Sequence, residues 1–183
     1  MKLFSIFKQI IKERKNHKYE YGCTMLFFNF PLINKIHDLI DSNDIYEDSE
    51  DPTFGLEKEP HTTLLFGTHE GVSVEDIKQI LDKYTFSTCI ISNASLFKNE
   101  KHDVLKFDVK GENLHNCNND LKQFPYTSNF PDYHPHLTIA YLKPGKGNKY
   151  VDLLKNQKFE LVPQYAVYSE PNGNKNKINI NID

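Results

Sequence analysis

Cysteine is scarce in this chain. Cys23, Cys89 and Cys117 form no Cys-x-x-Cys pair and leave an odd thiol if two of them join. That usage predicts free thiols in a reducing cytoplasm rather than a disulfide framework. Cys23 and Cys89 fall in strand-like runs and read as small buried hydrophobes. Long apolar runs are missing too. None reaches the roughly 18 residues that a spanning helix needs, so no membrane partner is expected. The start, Met1 to Phe7, has the look of a signal peptide, but Lys8, Lys12, Glu13 and Arg14 interrupt it before an apolar region forms. Charge of one sign is also lacking. With a net charge of −3 there is no basic field to hold a nucleic acid duplex, and small or locally bound anions are the better fit.

What is present is a chain that is 38% hydrophobic, enough for a core, in 183 residues that read as one domain over 1–183. Residues 3–15 place Leu3, Phe4, Phe7, Ile10 and Ile11 at helical spacing, so an amphipathic helix is expected within 1–18. Residues 23–30 read as a buried strand. Pro31 suits the first turn of a helix to about Ser42. Residues 43–59 are acidic, with Pro52 and Gly55, and predict a solvated loop beside a site. Ser73 caps a helix from Val74 to about Tyr84, with Asp76 where a capping box would take Glu.

Further strands are expected over 61–67, 88–97, 104–109 and 136–142, with closing strands over 159–168 and 177–182 around the turn Pro171-Asn172-Gly173-Asn174. A helix is expected over 113–124 and a short one near 150–154. The order is α–β–α–β–α–β–β–α–β–α–β–β, two halves of similar pattern without a residue-by-residue repeat.

Each half contains one short segment of the same kind. Pro60-His61-Thr62-Thr63-Leu64-Leu65 and Pro135-His136-Leu137-Thr138-Ile139-Ala140 are both His-x-Thr, both preceded by proline and both run into an apolar stretch. With eight histidines, about one His-x-Ser/Thr arises by accident; two in the same context carry information. Strand positions two apart share a face. His61 and Thr63 therefore point one way, as do His136 and Thr138, while Thr62 and Leu137 point into packing. Two imidazoles across a cleft can deprotonate a nucleophile and protonate a leaving oxygen at a phosphodiester near neutral pH. Two threonine hydroxyls can hold the phosphate. A 2′-hydroxyl on a ribonucleotide would be a ready-made nucleophile. His134-Pro135-His136 has a proline between its histidines and only Asp132 nearby, so no metal is expected there, and no other cofactor. Tyr21, Tyr133 and Tyr141 are candidates to stack on a base. Packing in the core or at the rim is the competing role for each.

At these residues the chain resembles the two-histidine (2H) phosphoesterase superfamily, whose members pair His-x-Ser/Thr motifs on a bilobal fold. Three stretches look more narrowly like the phage anti-CBASS cyclic-oligonucleotide phosphodiesterases: Tyr21-Gly22-Cys23-Thr24-Met25-Leu26, the run Gly55 to Gly67 around Pro60-His61-Thr62-Thr63, and the run His134 to Tyr141 around Pro135-His136-Leu137-Thr138. The resemblance implies an α+β fold of two pseudo-symmetric lobes, each with an antiparallel sheet and helices, and a cleft between them. It implies His61, Thr63, His136 and Thr138 as the catalytic set, and hydrolysis of the 3′–5′ linkages of cyclic di- and trinucleotide immune signals, such as 3′,3′-cGAMP, to linear products. A cyclic oligonucleotide would be the partner, in a host cytoplasm. Some relatives grip bases with C-terminal acidic and aromatic residues; here Glu170 and Tyr168 stand at that end, without tryptophan. The alternatives are a 2′,3′-cyclic phosphodiesterase or ligase-like enzyme on RNA ends, and a protein that sequesters cyclic nucleotides without cutting them.

Overall fold

The computed structural model describes residues 19–130 and 132–183, so the amphipathic helix expected within 1–18 lies outside the described residues. The fold is α+β. Its frame is one eight-stranded sheet in the order β7-β4-β5-β6-β2-β1-β8-β9, every neighbouring pair antiparallel. The strands are β1 Gly22–Phe28, β2 His61–Thr68, β3 Thr85–Phe86, β4 Cys89–Lys98, β5 Asp103–Lys110, β6 His136–Leu142, β7 Phe159–Leu161, β8 Pro163–Ser169, β9 Lys175–Ile178 and β10 Asn181–Ile182. β10 and β3 form a separate parallel pair.

Four strands lie on each side of the β2–β6 junction. That junction is narrow: Thr62 opposite Leu137 is its registered pair. Beyond it, other chain takes up the β6 edge. Leu56 bridges to Ala140 and Ile45 to Leu142, while Ile139 O accepts from Glu57 N at 2.9 Å. The acidic stretch 43–59, expected as a solvated loop, is therefore tied to a central strand at two points. Its aromatic members join in: Phe54 meets Tyr141 edge-on, with ring centroids 5.0 Å apart. The apolar residues Ile45, Phe54 and Leu56, scattered among the carboxylates, are what anchor it.

The expected closing strand over 159–168 is two strands. Val162 alone separates β7, which pairs with β4, from β8, which pairs with β1. One residue reaches only about 3.6 Å. The sheet therefore curls until its β7 edge meets β8, and Phe159 packs on Phe30 at 4.8 Å. Proline at 163 starts the new strand, where its missing N–H costs no ladder bond.

The helices are α1 Ile33–His37, α2 Val74–Leu81, α3 Leu114–Leu121 and α4 Asn148–Leu154. α1 is shorter than the 31–42 expectation, breaking into turns from Asp38. α2 carries the expected cap. Ser73 Oγ accepts from Asp76 N, and Asp76 Oδ2 accepts from Ser73 N at 2.9 Å, so the shorter acid still closes the box. Ile77, Ile80, Leu81, Leu114, Cys117 and Leu121 share one core with the sheet residues Leu26, Leu64, Leu105, Phe107, Leu137 and Ile139. Asn118 Nδ2 donates to Leu64 O at 2.6 Å, tying α3 to β2. Gly67 sits where β2 is crossed closely. Its φ is +100°, and a Cβ there would lie 1.8 Å from the Thr127 carbonyl oxygen, so only glycine fits. No helix among the described residues is long and apolar enough to cross a membrane.

Candidate active site

Each motif strand begins in the same way. Proline has no N–H, so the ladder starts after it, but its carbonyl still serves: Pro60 O accepts from Phe28 N at 2.9 Å and Pro135 O from Val109 N at 3.0 Å. The carbonyl one residue earlier is taken by the imidazole. His61 Nδ1 donates to Glu59 O at 2.8 Å and His136 Nδ1 donates to His134 O at 2.9 Å. A carbonyl can only accept, so Nδ1 carries the hydrogen in both rings and Nε2 is left as the titrating nitrogen. Among the described residues no hydrogen bond engages either Nε2. The Pro-His sequence thus orients a ring as well as starting a strand.

The junction then brings the two rings together. Thr62 and Leu137 are each 0% exposed and face the core. One step along the same antiparallel register sets His61 across from Thr138 and Thr63 across from His136, all four on the opposite face. Directly opposed side chains have Cβ atoms about 4.5–5.5 Å apart. The flanking strands extend this patch in register: Phe27 beside His61 and Met25 beside Thr63 on β1, Lys106 beside Thr138 and Asp108 beside His136 on β5.

The surroundings of the two rings differ. His61 stacks on Phe27, centroids 5.2 Å apart, and Phe27 stacks in turn on Tyr165 at 5.3 Å. Lys177 Nζ caps that column, 3.8 Å from the Tyr165 centroid. The Glu57 carboxylate lies 3.9 Å from His61 Nδ1. His136 meets the edge of Phe97 at 4.9 Å. The Lys106 ammonium lies over that same ring, 4.7 Å from its centroid, and pairs with Asp108 at 2.6 Å. Lys106 is only 7% exposed. Burial pushes the His136 pKa below its ordinary value. The His134 carbonyl works against this, Lys106 and His61 add to it, and Asp108 opposes it.

Next to Pro135 an open groove of about 420 Å³ is lined by Phe97, Lys106, Lys110, Tyr133, His134 and their neighbours, and by none of His61, Thr63, His136 and Thr138. Tyr133 packs against the core, and its hydroxyl donates to the backbone carbonyl of Thr63 at 3.0 Å. Tyr21 and Glu170 are elsewhere. Tyr21 stacks on His69 at 5.7 Å and meets Phe66, beyond the far end of β2. Glu170 follows β8 at that same end and accepts from Asn176 Nδ2 at 2.7 Å. Tyr168 is fully buried, its hydroxyl donating to Val72 O, so it faces the core. The three cysteines are free thiols, and burial holds each well above its ordinary pKa, Cys23 at about 12. They are not poised as nucleophiles. No group of three or more His, Cys, Asp or Glu side chains suited to a metal occurs among the described residues.

Glu57, Lys106 and Phe97 were not anticipated. Lys106 and Asp108 alternate with Leu105, Phe107 and Val109, a pattern that reads as an ordinary solvated face. Glu57 stands four residues before His61, within the acidic stretch. No protein-family model matches this chain, and no curated protein matches it.

Proposed function

We propose that the protein is a metal-independent phosphodiesterase of the two-histidine kind, acting on cyclic di- or trinucleotides. One observation carries the reading: two imidazoles, each tethered through Nδ1 to the carbonyl two residues back, share a patch with two threonine hydroxyls across a single strand pair. A phosphate over that patch takes a hydroxyl hydrogen bond from Thr63 and from Thr138. One free Nε2 is left on either side to move a proton. Each such transfer is worth about 10²–10⁴-fold. The two four-stranded halves meeting at β2 and β6 suit the bilobal architecture of that superfamily.

The groove next to Pro135 has room for a nucleoside, with Phe97 and Tyr133 as apolar walls. A compact substrate fits better than a long strand. Beside His61 stand the Glu57 carboxylate and, two residues before the histidine in the chain, Glu59, which repel an extended polyanion. Opening one 3′–5′ linkage would make a cyclic signal linear and remove it as an activator of host defence.

The test is incubation with 3′,3′-cyclic dinucleotides in excess EDTA, with products resolved by chromatography. Linear product supports the proposal. Intact ligand recovered after denaturation points to sequestration. Turnover of 2′,3′-cyclic mononucleotides alone points to RNA ends.

A further inference from the structure

The two histidines have the same tether and opposite electrostatic company. On the His61 side stands a carboxylate, Glu57, 3.9 Å from Nδ1. The other charges there are spoken for at a distance: Glu59 pairs with Lys175 at 3.9 Å, and Lys177 sits on Tyr165, two rings away. On the His136 side the β5 strand supplies Lys106 and Asp108, paired with each other, and β2 supplies His61. β4 supplies the Phe97 ring against His136, and its Asn93 Nδ2 donates to Asp108 at 3.4 Å. A carboxylate balances an imidazolium, whereas a nearby ammonium and burial oppose one.

We propose that the site is polarised, with His136 as the general base, His61 as the general acid, and Lys106 and Glu57 as the positioning residues that set this direction. The inference rests on the phosphodiesterase reading above. In the step, His136 Nε2 removes the proton from the attacking hydroxyl, the substrate's own 2′-hydroxyl or a water. That oxygen bonds to phosphorus. The bond from phosphorus to the 5′ oxygen breaks, its electron pair stays on that oxygen, and the proton on His61 Nε2 goes to it.

A pair of substrates separates the roles. A ribodinucleotide leaves as a 5′ alkoxide and needs an acid. A ribonucleoside 3′-(4-nitrophenyl phosphate) leaves as a stabilised phenolate and does not. His61→Ala, with His61→Asn as a second variant, is expected to lose about 10²-fold or more on the dinucleotide and far less on the nitrophenyl ester. His136→Ala is expected to lose heavily on both. The converse pattern, with the nitrophenyl ester rescuing His136→Ala, overturns the assignment. Wild-type protein that cleaves neither substrate nor a cyclic dinucleotide overturns the phosphodiesterase reading itself, and this inference with it.

Lys106→Met is expected to move the acid limb of kcat/KM upward by about one pH unit, and Lys106→Arg to restore it. Glu57→Gln is expected to slow the dinucleotide about tenfold and the nitrophenyl ester much less. An unmoved limb removes the role of Lys106. Equal losses on both substrates remove that of Glu57.

Discussion

The half of the molecule that carries His61 and the half that carries His136 make the same local structure and different sites. In both, proline precedes the histidine, the proline carbonyl accepts from a neighbouring strand, and Nδ1 donates to the carbonyl before that proline. The resemblance ends at the first neighbour. His61 lies flat on Phe27 with a carboxylate close by; His136, half-buried like His61, lies edge-on to Phe97 beside a nearly buried lysine. A repeated backbone device can orient two identical groups, and the strands on either side then decide what each group is good for.

The comparison can be broken most severely at the histidines. Alanine at either His61 or His136 is expected to cut cyclic dinucleotide cleavage by about 10²–10⁴-fold while the folded structure, followed by circular dichroism and thermal melting, persists. Near-normal turnover in either variant ends the paired mechanism. The threonines test the symmetry next. Thr63→Ala and Thr138→Ala are each expected to lower kcat about 10²-fold through the lost phosphate contact. A loss confined to one would show that only one half holds the phosphate.

The pH dependence sharpens the difference. A base must be neutral to act, and His136 is held neutral below the ordinary histidine pKa of 6.5. The acid limb of kcat/KM is therefore expected to lie below pH 6.5, with activity persisting to lower pH than an exposed histidine would allow. A limb at or above 6.5 contradicts the partly buried, lysine-flanked environment drawn for His136. The prolines give the smallest effect. Pro60→Ala and Pro135→Ala are each expected to lower stability in denaturant melts by about 0.4–1 kcal/mol, through added freedom of the unfolded chain. Markedly unequal values would mean that the two strand starts are not equivalent.

Much of this was legible from residue pattern. The motif strands, the α2 helix with its Ser73–Asp76 box and the shared face of His61 and Thr63 all follow from spacing over a few residues. The division of 159–168 into β7 and β8 was not. Phe159, Leu161, Val167 and Tyr168 read as one strand because burial pattern is blind to which neighbour a strand joins. The tie between 43–59 and β6 was missed because carboxylates dominate that stretch while three apolar side chains anchor it. Glu57 and Lys106 carried no local mark at all.

Proline, histidine and threonine in that order marked a strand start and a common face in the sequence, while the tether of each ring to the carbonyl two residues back is seen only in the structure. The pairing of Thr62 with Leu137, and with it the company each imidazole keeps, came from packing the core. Residues far apart in the chain acquire a register only when a buried face selects it, since a slip of one position would turn Thr62 and Leu137 outward and bury the histidines.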